Sequence, residues 1–150
     1  MDIKTIAPDL SVSRQLKPQD VGIAVSQGFR SIIINRPDGE SSDQPDHLEI
    51  EEAAKRQGLE VRYVPVISGT LTDADVEAFD KAMRELPAPA LAFCRTGTRS
   101  ATLWALSQAG HLSTDAILKT TATAGYDLGG LRAKLEARDI TDDDGIGPVK

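Results

Sequence analysis

The chain has 150 residues, 40% of them hydrophobic and only 4% aromatic, which suits one domain with an aliphatic core. A formal net charge of -6 excludes the broad basic face of a general nucleic-acid binder, although a local pair of arginines can still attract a small anion. A single cysteine excludes an internal disulfide, and no apolar run approaches the roughly 20 residues of a membrane helix.

Ile3 to Ile6 and Leu10 to Ser13 read as short strands around an Ala7-Pro8-Asp9 turn. Pro18 suits the first turn of a helix running towards Gln27, and Gly28 can end it. Ser31 to Asn35, with three consecutive isoleucines, predicts a strand buried on both faces. Arg36 to Pro45 is polar and rich in turn residues. A helix from Asp46 or His47 to Gln57 is stopped by Gly58, and Val61 to Val66 forms the next strand. Thr72 and Asp75 make a capping box for a helix with Val76, Phe79, Met83 and Leu86 on one side. Ala90 to Phe93 is a further strand. Helices then dominate: Ala101 to Ala109, a Ser113-capped helix reaching Gly125, and Leu128 to Ala137.

Strands alternating with helices predict a three-layer α/β domain, with a mainly parallel sheet flanked by helices. The catalytic domain is expected over residues 1–138, and a loose acidic tail carrying Asp142-Asp143-Asp144 over 139–150. No basic-then-apolar stretch opens the chain, so no secretory leader and a reducing, cytoplasmic location are expected. Parallel sheets bind ligands beyond the carboxyl ends of their strands. Those ends deliver Arg36, Asp38 and Glu40, then Ser68 and Thr70, then Cys94. Arg36 is a candidate to position substrate. Pro37-Asp38-Gly39 is also ordinary turn chemistry.

The segment Phe93-Cys94-Arg95-Thr96-Gly97-Thr98-Arg99-Ser100 carries the strongest signal. An apolar strand ends in the cysteine, a short loop follows, and an alanine-rich helix begins. That order aims backbone N–H groups and a helix N-terminus at one thiol, a field that favours the nucleophilic thiolate. Gly97 allows the tight turn, Arg99 can hold an anion with two parallel hydrogen bonds, and Ser100 is placed to donate to the sulfur. Arg95, Thr96 and Thr98 complete the expected cradle. His47 and His111 are expected at a helix start and in a loop, and Trp104 in the core. No cluster has metal-ligand spacing, so neither metal nor cofactor is expected.

Cys-Arg-Thr-Gly-Thr-Arg-Ser resembles the active loop of rhodaneses, in which cysteine carries a persulfide. The strand–cysteine–loop–Arg–Ser–helix order is also similar to dual-specificity and tyrosine phosphatases. Those phosphatases place five residues between cysteine and arginine. Here four intervene, Arg95 to Thr98, which is the rhodanese spacing. The histidine that phosphatases carry before the cysteine is Phe93, and Ser68 stands where their acid is expected. The rhodanese opening Asp-x-Arg and Gly-His-Ile-x-Gly segments are missing. The whole length, including Asn35-Arg36-Pro37-Asp38-Gly39-Glu40 and Gln44-Pro45, resembles the phosphatase-like domain of the beta-lactamase-hydrolase-like family.

This resemblance implies a phosphatase-type fold carrying a rhodanese-type loop. It makes sulfur transfer through a Cys94 persulfide the leading expectation, from a small anionic sulfur donor to a thiol acceptor. A persulfide-oxidising enzyme is a partner expected from fusions within the family. Phosphate ester hydrolysis through a phosphocysteine is the alternative, and a non-catalytic module for an anion or a partner protein is the third. Nucleic acid and membrane are not expected as partners.

Overall fold

The computed structural model describes the backbone of residues 2–145 and side chains to residue 139. Strands β1 (Lys4–Ala7) and β2 (Leu10–Ser13) form an antiparallel pair. Pro18 opens a 3₁₀ turn, Pro18–Asp20, that leads directly into helix α1 (Val21–Ser26). Then come β3 (Ser31–Ile34), α2 (His47–Arg56), β4 (Glu60–Tyr63), α3 (Asp73–Glu85) and β5 (Ala90–Phe93). Helices α4 (Thr98–Ser107), α5 (Thr114–Thr123) and α6 (Arg132–Gly145) complete the described chain.

The five strands lie in the order β1-β2-β5-β3-β4, and every pair except β1–β2 is parallel. Helices cover both faces. The isoleucines of β3 show how the sequence achieves this, because successive side chains of a strand point to opposite faces. Ile33 joins Val76 and Phe79 of α3, Leu103 of α4, Ile117 of α5 and Leu135 of α6. Ile32 and Ile34 join Val21 and Ala24 of α1 and Ile50 and Ala54 of α2. All three are at most 2% exposed. At about 1.5–3 kcal/mol for each fully buried large aliphatic side chain, β3 alone makes a substantial contribution to stability.

Register places the site. Phe93 pairs with both Ser13 and Ile34, so β2, β5 and β3 end at one level. Their following loops therefore open onto the same edge of the sheet. Beyond β4, Val64 N–H donates to the Ile34 carbonyl at 2.8 Å and Val66 N–H to the Asn35 carbonyl at 2.9 Å. Pro65 between them has no N–H to donate, so the expected Val61–Val66 strand is regular only to Tyr63.

Two helix boundaries differ from expectation. Helix α4 begins at Thr98 rather than Ala101, because Gly97 turns the chain straight into it. The last helix begins with a 3₁₀ turn, Gly129–Leu131, and continues to Gly145, so residues 139–145 are helical where a loose tail was expected. Leu135 is fully buried, and Arg138 donates to the Leu106 carbonyl at 3.0 Å and pairs with Asp73 at 2.9 Å. Once anchored, a helix gains one hydrogen bond for each residue added. The remainder of the expected tail, 146–150, lies outside the described residues. Among the described residues, no helix is long and apolar enough to cross a membrane.

Candidate active site

Cys94 follows β5 directly and is 1% exposed. Gly97, the residue that precedes the first turn of α4, donates its backbone N–H to Cys94 Sγ at 3.1 Å. The sulfur thus sits at the start of α4 and accepts the N–H of its capping residue. Gly97 is required twice. Its φ is +95°, and a Cβ there would lie 2.2 Å from Tyr126 Oη. Tyr126 packs under the turn, with its hydroxyl directed at the Thr96 carbonyl 3.4 Å away. Burial, and then the nearby Cys94 charge, push the Tyr126 hydroxyl pKa up. From the other side, Gln15 N–H donates to the Arg95 carbonyl at 3.3 Å.

Arg99 does not wait for an anion with its whole fork free. Its Nη1 donates to Glu40 Oε2 at 2.6 Å and to the Val66 carbonyl at 2.9 Å, while Nη2 donates to Glu40 Oε1 at 2.9 Å. Three of the five guanidinium N–H donors are thereby used. Glu40 and Val66 leave the side edge, Nε and the second Nη2 hydrogen, unused, and the Cys94 sulfur lies near enough to interact with this guanidinium. Arg36 Nε donates to Glu40 Oε1 at 3.0 Å, and its Nη1 to Gln15 Oε1 at 3.1 Å. Glu40 therefore bridges two arginines. The hydrogen bond from Arg99 holds the Glu40 carboxyl below its ordinary range against the opposing effect of burial, and Arg36 adds to this. The same bond to Glu40, together with the nearby Cys94 sulfur, raises the Arg99 pKa.

Ser100 requires a correction. It is fully buried, and its hydroxyl donates to Asn35 Oδ1 at 2.7 Å rather than to the sulfur. Asn35 Nδ2 in turn donates to the Val64 carbonyl at 2.9 Å. This buried chain ties α4 to the ends of β3 and β4. The remaining loop side chains face outward: Thr96 Oγ1 lies 3.2 Å from Thr98 Oγ1, and Arg95 is exposed.

Beyond Arg36, the β3 loop makes a second cluster. Asp38 accepts from His47 N–H at 2.8 Å and contacts His47 Nδ1 at 2.5 Å, and the His47 ring stacks on Tyr63 with centroids 3.8 Å apart. Folding thus brings Asp38, Asp46 and His47 together, a group no sequence spacing shows, with one ligand-type atom of each within 4.8 Å of the others. Asp38 directs both oxygens at His47, and Asp46 accepts from Leu48 N–H as the cap of α2. Both acids are engaged in starting that helix.

A cleft of about 390 Å³ opens between the two loops, lined by Arg36, Glu40, Ser68 and the exposed face of the cysteine loop. It shares Ser68, Thr98 and Arg99 with an adjoining cleft of about 280 Å³ that runs towards Leu131 and Lys134.

A buried thiol that accepts an N–H at a helix start, with an arginine beside it at the carboxyl end of parallel strands, is the arrangement of a phosphatase-like fold with a cysteine loop. The comparisons make the assignment narrower. The family "Beta-lactamase hydrolase-like protein, phosphatase-like domain" matches residues 2–111, and the chain belongs to it. Beta-lactamase hydrolase-like proteins of Xylella fastidiosa and Agrobacterium fabrum are 36% and 37% identical, over 93% and 79% of this chain. The chain spans about a third of the length of these relatives, 33% and 28%. A candidate phosphatase from Neisseria meningitidis superposes with a TM-score of 0.84 at 32% identity, covering 92% of this chain and 99% of that one.

Proposed function

We propose that this chain is a phosphohydrolase that works through a phosphocysteine at Cys94. The observation that carries the reading is the Gly97 N–H at 3.1 Å from Cys94 Sγ, at the start of α4 and beside an arginine whose side edge is not taken by Glu40 or Val66. The sulfur attacks phosphorus in line with the leaving oxygen. The S–P bond forms as the P–O bond breaks. N–H groups of residues 95–99 and the side edge of Arg99 receive the equatorial oxygens, on which charge is spread in the transition state. Glu40 and the Val66 carbonyl hold that guanidinium in place, so little reorganisation is left to the reaction itself. Water then releases phosphate and restores the thiolate.

Sulfur transfer, the leading expectation from loop length, becomes the second reading. One observation favours it: only Arg95 to Thr98 separate Cys94 from Arg99, a short turn suited to a single terminal sulfur. In that reading a small anionic donor such as thiosulfate loads Cys94, a thiol acceptor unloads it, and a persulfide-oxidising enzyme is a fitting partner. Neither reading calls for a cofactor.

The two are separated by the mass of the intact protein. Rapid quenching during turnover of nitrophenyl phosphate should show a phosphoryl adduct on wild type and none on Cys94→Ser. A sulfur adduct after thiosulfate, with no Cys94-dependent phosphate release, would establish the second reading instead. No adduct from either reagent would leave the binding module.

A further inference from the structure

We infer that the substrate is a terminal phosphoric anhydride, such as a diphosphate, rather than an ester of an ordinary alcohol or phenol. This rests on the phosphohydrolase reading. An ester leaving group needs a proton, and a positioned acid supplies about 10²–10⁴-fold of rate. Among the described residues, one carboxylate lines the cleft beside the cysteine loop, and it is Glu40. Both its oxygens accept from arginine, with Arg99 at 2.6 and 2.9 Å and Arg36 at 3.0 Å, an arrangement that keeps it ionised. Glu77 lines a further cleft beyond Lys134 that does not include Arg99, and three other nearby acids have partners of their own. Asp38 is committed to His47, Asp73 to Arg138, and Asp75 to the Thr72 N–H that starts α3. Ser68, on the cleft wall, is no acid at neutral pH.

The adjoining cleft offers positive charge where an acid would be expected. Leu71, Leu106 and Leu131 form its wall, no carboxylate among the described residues lines it, and its cations are Arg99 at one end and Lys134. Lys134 is exposed and has no hydrogen-bond or ion-pair partner among the described residues. A leaving group that departs as a phosphate anion fits this charge pattern. It needs no proton, and the lysine stabilises the charge that develops on it.

The step balances without a protein proton. The Cys94 thiolate attacks the terminal phosphorus, the S–P bond forms, and the bond from phosphorus to the bridging oxygen breaks. Its electron pair leaves on that oxygen as part of a phosphate anion. Water then attacks the phosphocysteine, the S–P pair returns to sulfur, and both water protons leave on orthophosphate.

The test compares kcat/KM for phenyl phosphate, dinitrophenyl phosphate, tripolyphosphate and ADP on the full chain, with Cys94→Ser as background. Expected is a deficit of about 100-fold or more for phenyl against dinitrophenyl phosphate. Turnover of at least one anhydride is also expected, with tripolyphosphate alone identifying an inorganic chain and ADP alone an organic diphosphate. Lys134→Gln should lower the anhydride rate about tenfold, and more than it lowers the dinitrophenyl rate. Phenyl and dinitrophenyl phosphate turned over alike would reveal a proton donor and overturn the inference while leaving the phosphohydrolase. Dinitrophenyl phosphate cleaved and both anhydrides refused would overturn it as well. An equal loss on both substrates in Lys134→Gln would remove the lysine from the leaving-group site. No Cys94-dependent release even from dinitrophenyl phosphate would sink the phosphohydrolase reading itself.

Discussion

The loop after β5 and the loop after β3 leave neighbouring parallel strands at the same level, and they contribute to the site in different ways. The first is self-contained. Cys94, Gly97 and the start of α4 lie within a few residues, and the N–H to sulfur contact spans three positions. The second acts at a distance, since Glu40 grips Arg99 from 59 positions away. A local turn can set an N–H on a thiol, whereas orienting the arginine takes a carboxylate carried in by another strand.

The largest effect should come from the local loop. Cys94→Ser is expected to bring phosphate release to background with little change in Tm, because serine nearly preserves the buried volume. Retained turnover in this variant would move the chemistry away from the loop altogether.

Next is Gly97→Ala. A methyl there meets Tyr126 Oη at 2.2 Å on a backbone with φ +95°. Overpacking and a disfavoured φ each cost about 1–3 kcal/mol, so a clear fall in Tm and at least about a tenfold loss of kcat/KM are expected. Adding Tyr126→Phe removes the closest atom but not the φ penalty, and should recover part of the stability. Full recovery would mean that the contact alone makes glycine necessary.

Glu40→Gln tests the distant contribution. It keeps the shape and leaves two guanidinium groups without their counter-charge. Loosening Arg99 should lower kcat/KM about tenfold, and a loss of about 1 kcal/mol would lower Tm by about 2–4 °C in a domain of this size. The pH dependence has a definite sign. The Arg99 hydrogen bond depresses the folded carboxyl pKa, so the stabilisation is complete above the unfolded value of about 4.3 and fades as pH falls through the folded one. The Tm gap between wild type and Glu40→Gln should therefore narrow on acidification below about pH 4.3. A gap that widens there would contradict the ion-pair account.

Legibility in the sequence follows the same division. Local rules read the caps well. Thr72 and Asp75 make the reciprocal box at 3.2 and 2.9 Å, and Ser113 accepts from Ala116 N–H at 3.1 Å. Sheet and layers followed from apolar runs alternating with helical periods. The strand–loop–helix geometry around Cys94 was readable because strand, cysteine, glycine and helix are contiguous. The Glu40 bridge was not, since Pro37-Asp38-Gly39-Glu40 looks like any polar turn until β3 and β5 are laid side by side. Ser100 was misjudged because its helical phase turns it towards Asn35 under the sheet edge, and no spacing rule shows which face of a starting helix is buried. The extent of α6 depended on Leu135 and Arg138 finding partners on other elements.

Asp38→Asn should have the smallest effect, and it sharpens the contrast within the β3 loop itself. Asp38 and Glu40 are two residues apart, and the same strand end delivers both. Only Glu40 reaches Arg99. Asp38 turns away to His47, whose ring lies flat on Tyr63 at 3° between planes. The asparagine keeps an acceptor for the His47 N–H and loses only the charge of a partly exposed carboxylate at the surface, a setting in which ion pairs contribute about 0–1 kcal/mol. The expected result is kcat/KM within about twofold of wild type and a Tm shift of no more than about 2–4 °C. Nothing that positions Cys94, Gly97 or Arg99 passes through this residue. A loss of activity as large as that of Glu40→Gln, at unchanged Tm, would show that Asp38 acts on the substrate, and that the β3 loop contributes two carboxylates to the site rather than one.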